Sequence, residues 1–360
     1  MMRILLFLLV LLPSITIADL YRTEIVADGL AHPWSIDFMP DGSYLVAMKS
    51  GEVRQIQRDG VIGEIINGAP ATHFEGQGGY FDILLDPAFT ENNLVYLCYA
   101  GGPPEANATT VMRAKLSNNR FLETEIIYRA SPTKDTPAHY GGKMHFLGDG
   151  SLLVTTGDGF EYREGAQDTF GHFGKVIRIR TDGMAPKDNP FVGSNQGDEK
   201  VYSYGHRNPQ GLDITADGTI YLHEHGPKGG DEMNRILPGA NYGWPAVTYG
   251  ENYSGAYVSP LKSYPGIEEP LHYWVPSIAP SGLVAYQGSM FPEWQGDLLI
   301  GALVDKEVRQ LVLEDGVVVE EKILFSELSE RIRDIREAPN GELYLVTDGE
   351  GGKIIRVTRQ

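Results

Sequence analysis

The chain has 360 residues, of which 42% are hydrophobic and 22% charged, and its formal net charge is −18 at pH 7. This composition is ordinary for a globular protein, and the length allows one large all-β unit or two smaller domains. The negative charge argues against nucleic acid and anionic membrane surfaces as partners, and it fits either simple solubility or an affinity for cations such as calcium.

The first 18 residues have the pattern of a secretory signal peptide. Arg3 supplies the positive charge, and the apolar run Ile4 to Leu12 is too short to span a bilayer. We therefore expect residues 1–18 to be removed. Residues 19–360 then form a single domain that is periplasmic or secreted and is not embedded in a membrane.

The single cysteine, Cys98, lies in the strand-like segment LVYLCYA and permits no intramolecular disulfide. Its apolar neighbours predict a small buried side chain rather than a catalytic thiol.

One pattern recurs six times: two short runs of alternating apolar residues joined by a polar turn. In the first copy a Pro-Asp-Gly turn joins the two runs, which is a strong hairpin signal. The copies are Trp34–Ile56, Tyr80–Ala100, Met144–Gly159, Gly211–Gly226, Gly282–Leu303 and Ile335–Val357.

Six such hairpins predict an all-β, six-bladed β-propeller, with segments such as GEVRQI and GKVIRIR supplying further strands. The N-terminal LYRTEIVA can pair beside the C-terminal KIIRVT and close the ring. A β-sandwich or a solenoid is the alternative, and the unequal loop lengths argue against a solenoid. Helical character is confined to Phe325–Arg331.

Loops on one rim of a propeller converge, so polar residues that follow inner strands are candidates for one site. Gln77 lies among glycines that let the backbone approach a flat ligand, although a simple tight turn explains it equally well. His139 precedes a strand, and Asp158 ends the same hairpin. The pair is either a general base with its orienting carboxylate or, for the histidine, an ordinary turn residue.

Three further loops carry charge. Arg207 can stabilise developing negative charge or serve in a structural salt bridge. The carbonyls of Gly226 and Pro227, together with Asp231, Glu232 and Tyr242, offer oxygen ligands for calcium. Zinc at His223 and His225 is the alternative, but a third nitrogen or sulfur ligand is lacking. Arg331, Arg333 and Lys306 suit an anionic ligand, unless the two arginines lie on a solvated strand edge.

Seven motifs in this order resemble the soluble quinoprotein glucose/sorbosone dehydrogenase family, and most closely its periplasmic aldose sugar dehydrogenase branch. They are PWSIDFMPDG, GQGG, HYGGKMHF with TTGDG, GHRNPQGL, HEHGPKGGDE, NYGWP and RIRD, and the resemblance runs from Leu30 to Val357.

The resemblance implies the tricarboxylate cofactor pyrroloquinoline quinone (PQQ) together with calcium, and oxidation of an aldose at C1 to the lactone. His139 would be the base, Asp158 its orienting group and Arg207 the charge-stabilising group. The implied cofactor contacts are Gln77, His139, Arg207, Asn208, Tyr253, Lys306, Arg331 and Arg333. The implied calcium ligands are Gly226, Pro227, Glu232 and Tyr242.

The chain departs from the glucose-specific branch at Lys143, where that branch has arginine, and it is shorter. The sugar, the electron acceptor (a quinone or a cytochrome) and the choice between monomer and dimer therefore stay open. A calcium-dependent propeller lactonase or other hydrolase is one alternative, but it leaves the basic cluster without a role. A non-catalytic binding propeller is the other, and the presence of both His139 and Asp158 argues against it.

Overall fold

The computed structural model describes residues 20–360, so the predicted signal peptide lies outside the described residues. These residues form six four-stranded antiparallel sheets. The first strand, β1 (Tyr21–Ala31), belongs to the last sheet. Blade 1 contains β2 (Pro33–Phe38), β3 (Tyr44–Met48), β4 (Glu52–Ile56) and β5 (Ile62–Ile65). Blade 2 contains β6 (Tyr80–Leu85), β7 (Leu94–Gly101), β8 (Ala108–Ser117) and β9 (Arg120–Arg129).

Blade 3 contains β10 (Gly141–Phe146), β11 (Leu152–Thr156), β12 (Lys175–Ile179) and β13 (Val201–Tyr204). Blade 4 contains β14 (Pro209–Ile214), β15 (Ile220–Glu224), β16 (Asp231–Ile236) and β17 (His272–Trp274). Blade 5 contains β18 (Pro280–Ala285), β19 (Leu298–Ala302), β20 (Glu307–Glu314) and β21 (Val317–Leu324). Blade 6 contains β22 (Ile332–Glu337), β23 (Leu343–Thr347), β24 (Glu350–Arg359) and β1.

The six-bladed propeller is thus confirmed, and each predicted hairpin supplies the first two strands of a blade. The segments GEVRQI and GKVIRIR contain the third strands β4 and β12. Closure is also as predicted, because β1 pairs antiparallel with β24 from Tyr21 opposite Arg359 to Ala31 opposite Glu350. The ring is therefore sealed by hydrogen bonds between the two ends of the described chain.

The chain contains little helix, as expected. The prediction of a helix at Phe325–Arg331 is wrong. Only a single 3₁₀ turn, Ser326–Leu328, forms there, because the flanking Phe325 and Ser329 adopt left-handed φ values of 60° and 52°. The α-helical turn α1 (Phe89–Asn92) lies elsewhere, and the other 3₁₀ turns are Pro104–Ala106, Arg163–Gln167 and Pro292–Trp294. Among the described residues, no helix is long and apolar enough to cross a membrane.

The space between neighbouring sheets is filled by aliphatic and aromatic side chains of successive blades. Cys98 is fully buried in this packing, as its apolar flanks predicted. Carboxylates on the inner strands link neighbouring blades at two of the junctions. Asp37 accepts a hydrogen bond from the backbone N of Leu85 at 2.6 Å, and Asp213 accepts one from Ala285 at 2.7 Å. The inner strands are therefore held in a fixed relative register.

Lys143 lies inside the channel in a ring of four charged side chains. Its Nζ is 2.7 Å from Asp334 and 3.8 Å from Asp82. Arg336 completes the ring, 2.5 Å from Asp82 and 3.1 Å from Asp334. Buried charges of alternating sign compensate one another. Lys143 therefore takes part in an ion-pair network that links the inner strands of blades 2, 3 and 6.

Candidate active site

The site residues share one rim because of how each blade is wound. The first strand of every blade begins at this rim and the second strand returns to it, so residues before the first strand meet residues after the second. His139 lies just before β10 and Arg207 just before β14, whereas Asp158 follows β11 and His225 follows β15. We call this rim the upper rim.

His139 and Asp158 form a buried hydrogen-bonded pair, as predicted. His139 Nδ1 lies 2.6 Å from Asp158 Oδ1, and the two residues are 4% and 0% exposed. The backbone N of His139 donates to Gln77 Oε1 at 2.8 Å, and that of Asp158 donates to the Arg207 carbonyl at 2.8 Å. His139 has a left-handed φ of 50°, a conformation that costs free energy in a residue with a side chain. Contacts from the loops of blades 2, 3 and 4 thus hold His139 and Asp158 in place.

The surroundings keep the imidazole neutral and the carboxylate charged. Burial lowers the pKa of His139 below its ordinary value of 6.5; the hydrogen bond to Asp158 opposes this and the Arg207 charge adds to it. Burial alone would raise the pKa of Asp158, but the hydrogen bond and charge of His139, together with Arg207, lower it. A neutral imidazole that donates from Nδ1 presents the lone pair of Nε2, which is the form a general base requires.

A cavity of about 350 Å³ opens at the outer edge of this pair. Its wall includes His139, Asp158, Arg207, Pro227 and Tyr253. In the described part of the chain, His139 Nε2 has no hydrogen-bond partner, so its free nitrogen is available to a ligand. The cavity therefore places a base and a permanent cation next to the same empty volume.

Arg207 connects the base to the predicted calcium loop. Its Nη1 donates to the carbonyls of His225 at 2.9 Å and Gly226 at 2.5 Å. Its guanidinium carbon lies 5.3 Å from the centre of the Trp244 ring, and Trp244 Nε1 donates to Asp158 Oδ2 at 2.7 Å. Sequence reasoning assigned no role to Trp244, although it stands in the NYGWP motif. Its link to Asp158 joins residues 86 positions apart, which local patterns do not show.

A second cavity of about 250 Å³ lies at the upper end of the channel, and Gln77, Asn208, Arg331 and Arg333 line it. Arg333 stacks on Trp34, with its guanidinium carbon 3.8 Å from the ring centre. The two arginines share one carboxylate, because Asp348 is 2.9 Å from Arg331 and 3.3 Å from Arg333. The structure thus brings the two predicted arginines together at this cavity.

Lys49 is a cation of this cluster that the sequence did not reveal. Its Nζ lies 5.1 Å from the centre of the Trp34 ring and donates to the Gly76 carbonyl at 2.7 Å. Its position directly after β3 was the available signal, since Asp158 and His225 follow the second strands of their own blades in the same way. Burial and the Arg333 charge lower the pKa of Lys49. Lys306 is exposed and lines neither cavity, so its contact with a cofactor stays a prediction.

The predicted calcium ligands are not gathered into a carboxylate cluster. Among residues 20–360, no group of three or more His, Cys, Asp or Glu side chains is arranged to hold a metal. Glu232 pairs across the strands with Glu224, and Asn234 Nδ2 donates to Glu224 Oε1 at 3.4 Å. Asn234 Oδ1 is buried without a hydrogen-bond partner. The Tyr242 hydroxyl donates to the Arg235 carbonyl at 2.6 Å.

The hydrogen bonds of the His223 and His225 rings give no support to the zinc alternative. His223 Nε2 lies 3.1 Å from the Gly282 carbonyl, and His225 Nε2 lies 2.7 Å from the Pro280 carbonyl. Both hydrogen bonds tie blade 4 to blade 5. Burial lowers the pKa of His223 to about 4 and that of His225 to about 3, so both rings are neutral.

Comparison with known proteins identifies the family of this chain. The family described as Glucose / Sorbosone dehydrogenase matches residues 30–356. The Aldose sugar dehydrogenase YliI of Escherichia coli is 36% identical, with 94% of this chain and 92% of that protein aligned. A crystal structure described as glucose dehydrogenase is 41% identical with a TM-score of 0.90, and covers 93% of this chain and 99% of its own.

A structure of the PQQ-bound form of Aldose Sugar Dehydrogenase from Streptomyces coelicolor is 25% identical with a TM-score of 0.78, and covers 94% of this chain and 98% of its own. The family match, residues 30–356, includes strands of all six blades. The chain belongs to the glucose/sorbosone dehydrogenase family.

Proposed function

We propose that this protein is a PQQ- and calcium-dependent aldose dehydrogenase that oxidises the C1 hydroxyl of a sugar to the lactone. One observation carries the proposal: a neutral imidazole, oriented by a buried carboxylate, faces a cavity that also contains Arg207. The cationic second cavity lies next to it at the same rim.

The second cavity suits a polyanion. Arg331 and Arg333 line it, Lys49 contacts the Trp34 ring in its wall, and Asp348 is the carboxylate that pairs with the two arginines. Arg333 Nε is buried without a partner. Unpaired buried donors are costly, so this cluster favours a ligand that brings several carboxylates. The flat ring of Trp34 and the amides of Gln77 and Asn208 suit a planar, polar molecule such as PQQ.

The oxygen acceptors of blade 4 suit a calcium ion. Glu224, Glu232 and the unpartnered Asn234 Oδ1 place carboxylate and amide oxygens on one face of the sheet, which are ligands that a hard cation prefers. The predicted ligands Glu232 and Tyr242 belong to this region. The carbonyls of Gly226 and Pro227 lie beside the catalytic cavity, where a cation would polarise the cofactor.

The chain's own residues perform the acid–base part of the reaction. Asp158 holds His139 with Nδ1 protonated, and His139 Nε2 takes the proton from the C1 hydroxyl of the sugar. When bound, PQQ supplies the two-electron acceptor for the C1 hydride. Arg207 is permanently charged and stabilises negative charge that grows during the transfer. Burial of the pair shields the hydrogen bond between Asp158 and His139 from water.

The partners follow from this chemistry. The substrate is an aldose, and the Tyr253 ring at the cavity mouth contacts the sugar or the cofactor. A quinone or a cytochrome then accepts the electrons. A periplasmic or secreted location is part of the proposal, as is function as a monomer or dimer.

The test uses purified apoprotein with PQQ, calcium, glucose and an artificial dye acceptor. The proposal predicts dye reduction that requires the protein, the cofactor and the sugar, with the lactone as product. A calcium-dependent lactonase would instead hydrolyse an added lactone without PQQ. That outcome, with no dye reduction, would overturn the proposal.

A further inference from the structure

The two oxygens of the Asp158 carboxylate have different partners. Oδ1 accepts hydrogen bonds from His139 Nδ1 at 2.6 Å and from the backbone N of Phe160 at 2.8 Å. Oδ2 accepts one from Trp244 Nε1 at 2.7 Å, and within residues 20–360 this is its only hydrogen bond. Trp244 therefore determines how the buried carboxylate is rotated toward the imidazole.

Trp244 is itself held firmly in the segment between β16 and β17 of blade 4. Its backbone N donates to the Gly205 carbonyl at 2.8 Å, and its own carbonyl accepts from Gln167 Nε2 at 2.7 Å. The residue is 7% exposed. The face of its ring lies 5.3 Å from the Arg207 guanidinium, within the range of a cation–π contact. One indole thus contacts both charged groups of the candidate active site.

We propose that Trp244 is a positioning residue whose indole N–H fixes the Asp158 carboxylate, so that His139 keeps its free nitrogen toward the catalytic cavity. Its effect on turnover rests on the proposed function, whereas the hydrogen-bond link does not. The ring also holds the Arg207 guanidinium beside the same cavity.

A side chain without the N–H leaves an ionised, buried oxygen unpaired, which is costly. The carboxylate then gains proton affinity, and the histidine–aspartate pair retains its extra proton to a higher pH. A phenyl ring still fills space and still faces Arg207. The expected consequence of Trp244→Phe is a loss of kcat of about tenfold to a hundredfold, with KM and PQQ affinity little changed.

The test compares Trp244→Phe with Trp274→Phe in the PQQ- and calcium-loaded enzyme. Trp274 is a matched control, because its Nε1 also donates to a carboxylate, Glu321, at 2.8 Å, but on the outermost strand of blade 4. We expect the acid limb of the kcat/KM–pH profile to move to higher pH in Trp244→Phe and to stay in place in Trp274→Phe. A lower kcat with an unmoved acid limb in Trp244→Phe would reduce Trp244 to a packing role and overturn the inference.

A second measurement needs neither turnover nor a folded Trp244 variant. The chain has four tryptophans, so ¹⁵N-labelled indoles give four Nε1–H signals, and Trp→Phe variants of the other three assign the fourth to Trp244. In the wild-type protein, the Trp244 signal should titrate with the same midpoint as the His139 ring. A Trp244 signal that ignores this titration would refute the link. If it titrates but no sugar is oxidised, the proposed function fails and the positioning role survives.

Discussion

Replacement of Asp158 by asparagine tests the catalytic pair most severely, because three donors surround the carboxylate. His139 Nδ1 and the Phe160 backbone N approach Oδ1, and Trp244 Nε1 approaches Oδ2. An amide has one oxygen and one donating NH₂ group. If its oxygen faces His139, the NH₂ group opposes the indole N–H. If the oxygen faces Trp244, the NH₂ group opposes Phe160 and forces the imidazole to carry its proton on Nε2.

Either arrangement removes at least one charge-assisted hydrogen bond and leaves two donors facing each other. Such a loss costs about 1.5–3 kcal/mol, and the second arrangement also blocks the base. We expect kcat to fall by about 10²- to 10⁴-fold, the range that a positioned acid–base group contributes. The residues of the cationic cavity are untouched, so PQQ affinity should change by less than about threefold, within roughly 0.7 kcal/mol.

The assay for Asp158→Asn combines steady-state dye reduction with a titration of PQQ binding. Thermal unfolding of the variant shows whether the fold is intact. A well-folded variant that binds PQQ and retains kcat within threefold of the wild type would refute the assignment of base and orienting carboxylate.

The remaining predictions concern the base, its pH dependence and the cationic cavity. His139→Ala should bind PQQ normally and lose most turnover; unchanged turnover would remove His139 as the base. Since burial lowers the pKa of His139, the base becomes neutral as pH rises through that value, so kcat/KM should rise with pH and the midpoint of the rise should lie below 6.5. An acid limb centred above 6.5 would contradict this. Arg333→Met should weaken PQQ binding by at least tenfold, and Lys49→Met less, because Lys49 is only partly buried. Lys353→Met, which removes a surface pair with Glu330, is the control and should bind PQQ like the wild type.

The blades could be predicted from the sequence because the information is local. Each hairpin appears in the sequence as two runs of alternating apolar residues on either side of a turn. His139 and Asp158 lie at the two ends of a single hairpin, 19 positions apart. The two loops therefore had to meet at one rim once the hairpin was identified. The same reasoning placed Arg331 and Arg333 together.

The missed features depend on packing between blades. Lys143 pairs with Asp334 across 191 positions, and Trp244 reaches Asp158 across 86. Neither contact follows from periodicity or turn chemistry. The false helix at Phe325–Arg331 has a similar origin, because left-handed residues at both ends of the turn are set by the join between blades 5 and 6.

The most direct test of the central claim is a single turnover with a sugar deuterated at C1. Protein loaded with PQQ and calcium is mixed, without oxygen or dye, with glucose or its C1-deuterated form, and the cofactor spectrum and the product are followed. The account predicts one lactone per bound PQQ and a markedly slower reaction with the deuterated sugar, together with loss of the reaction in His139→Ala. Rates that are equal for the two sugars in a demonstrably chemistry-limited step, or lactone formed without reduction of PQQ, would contradict it.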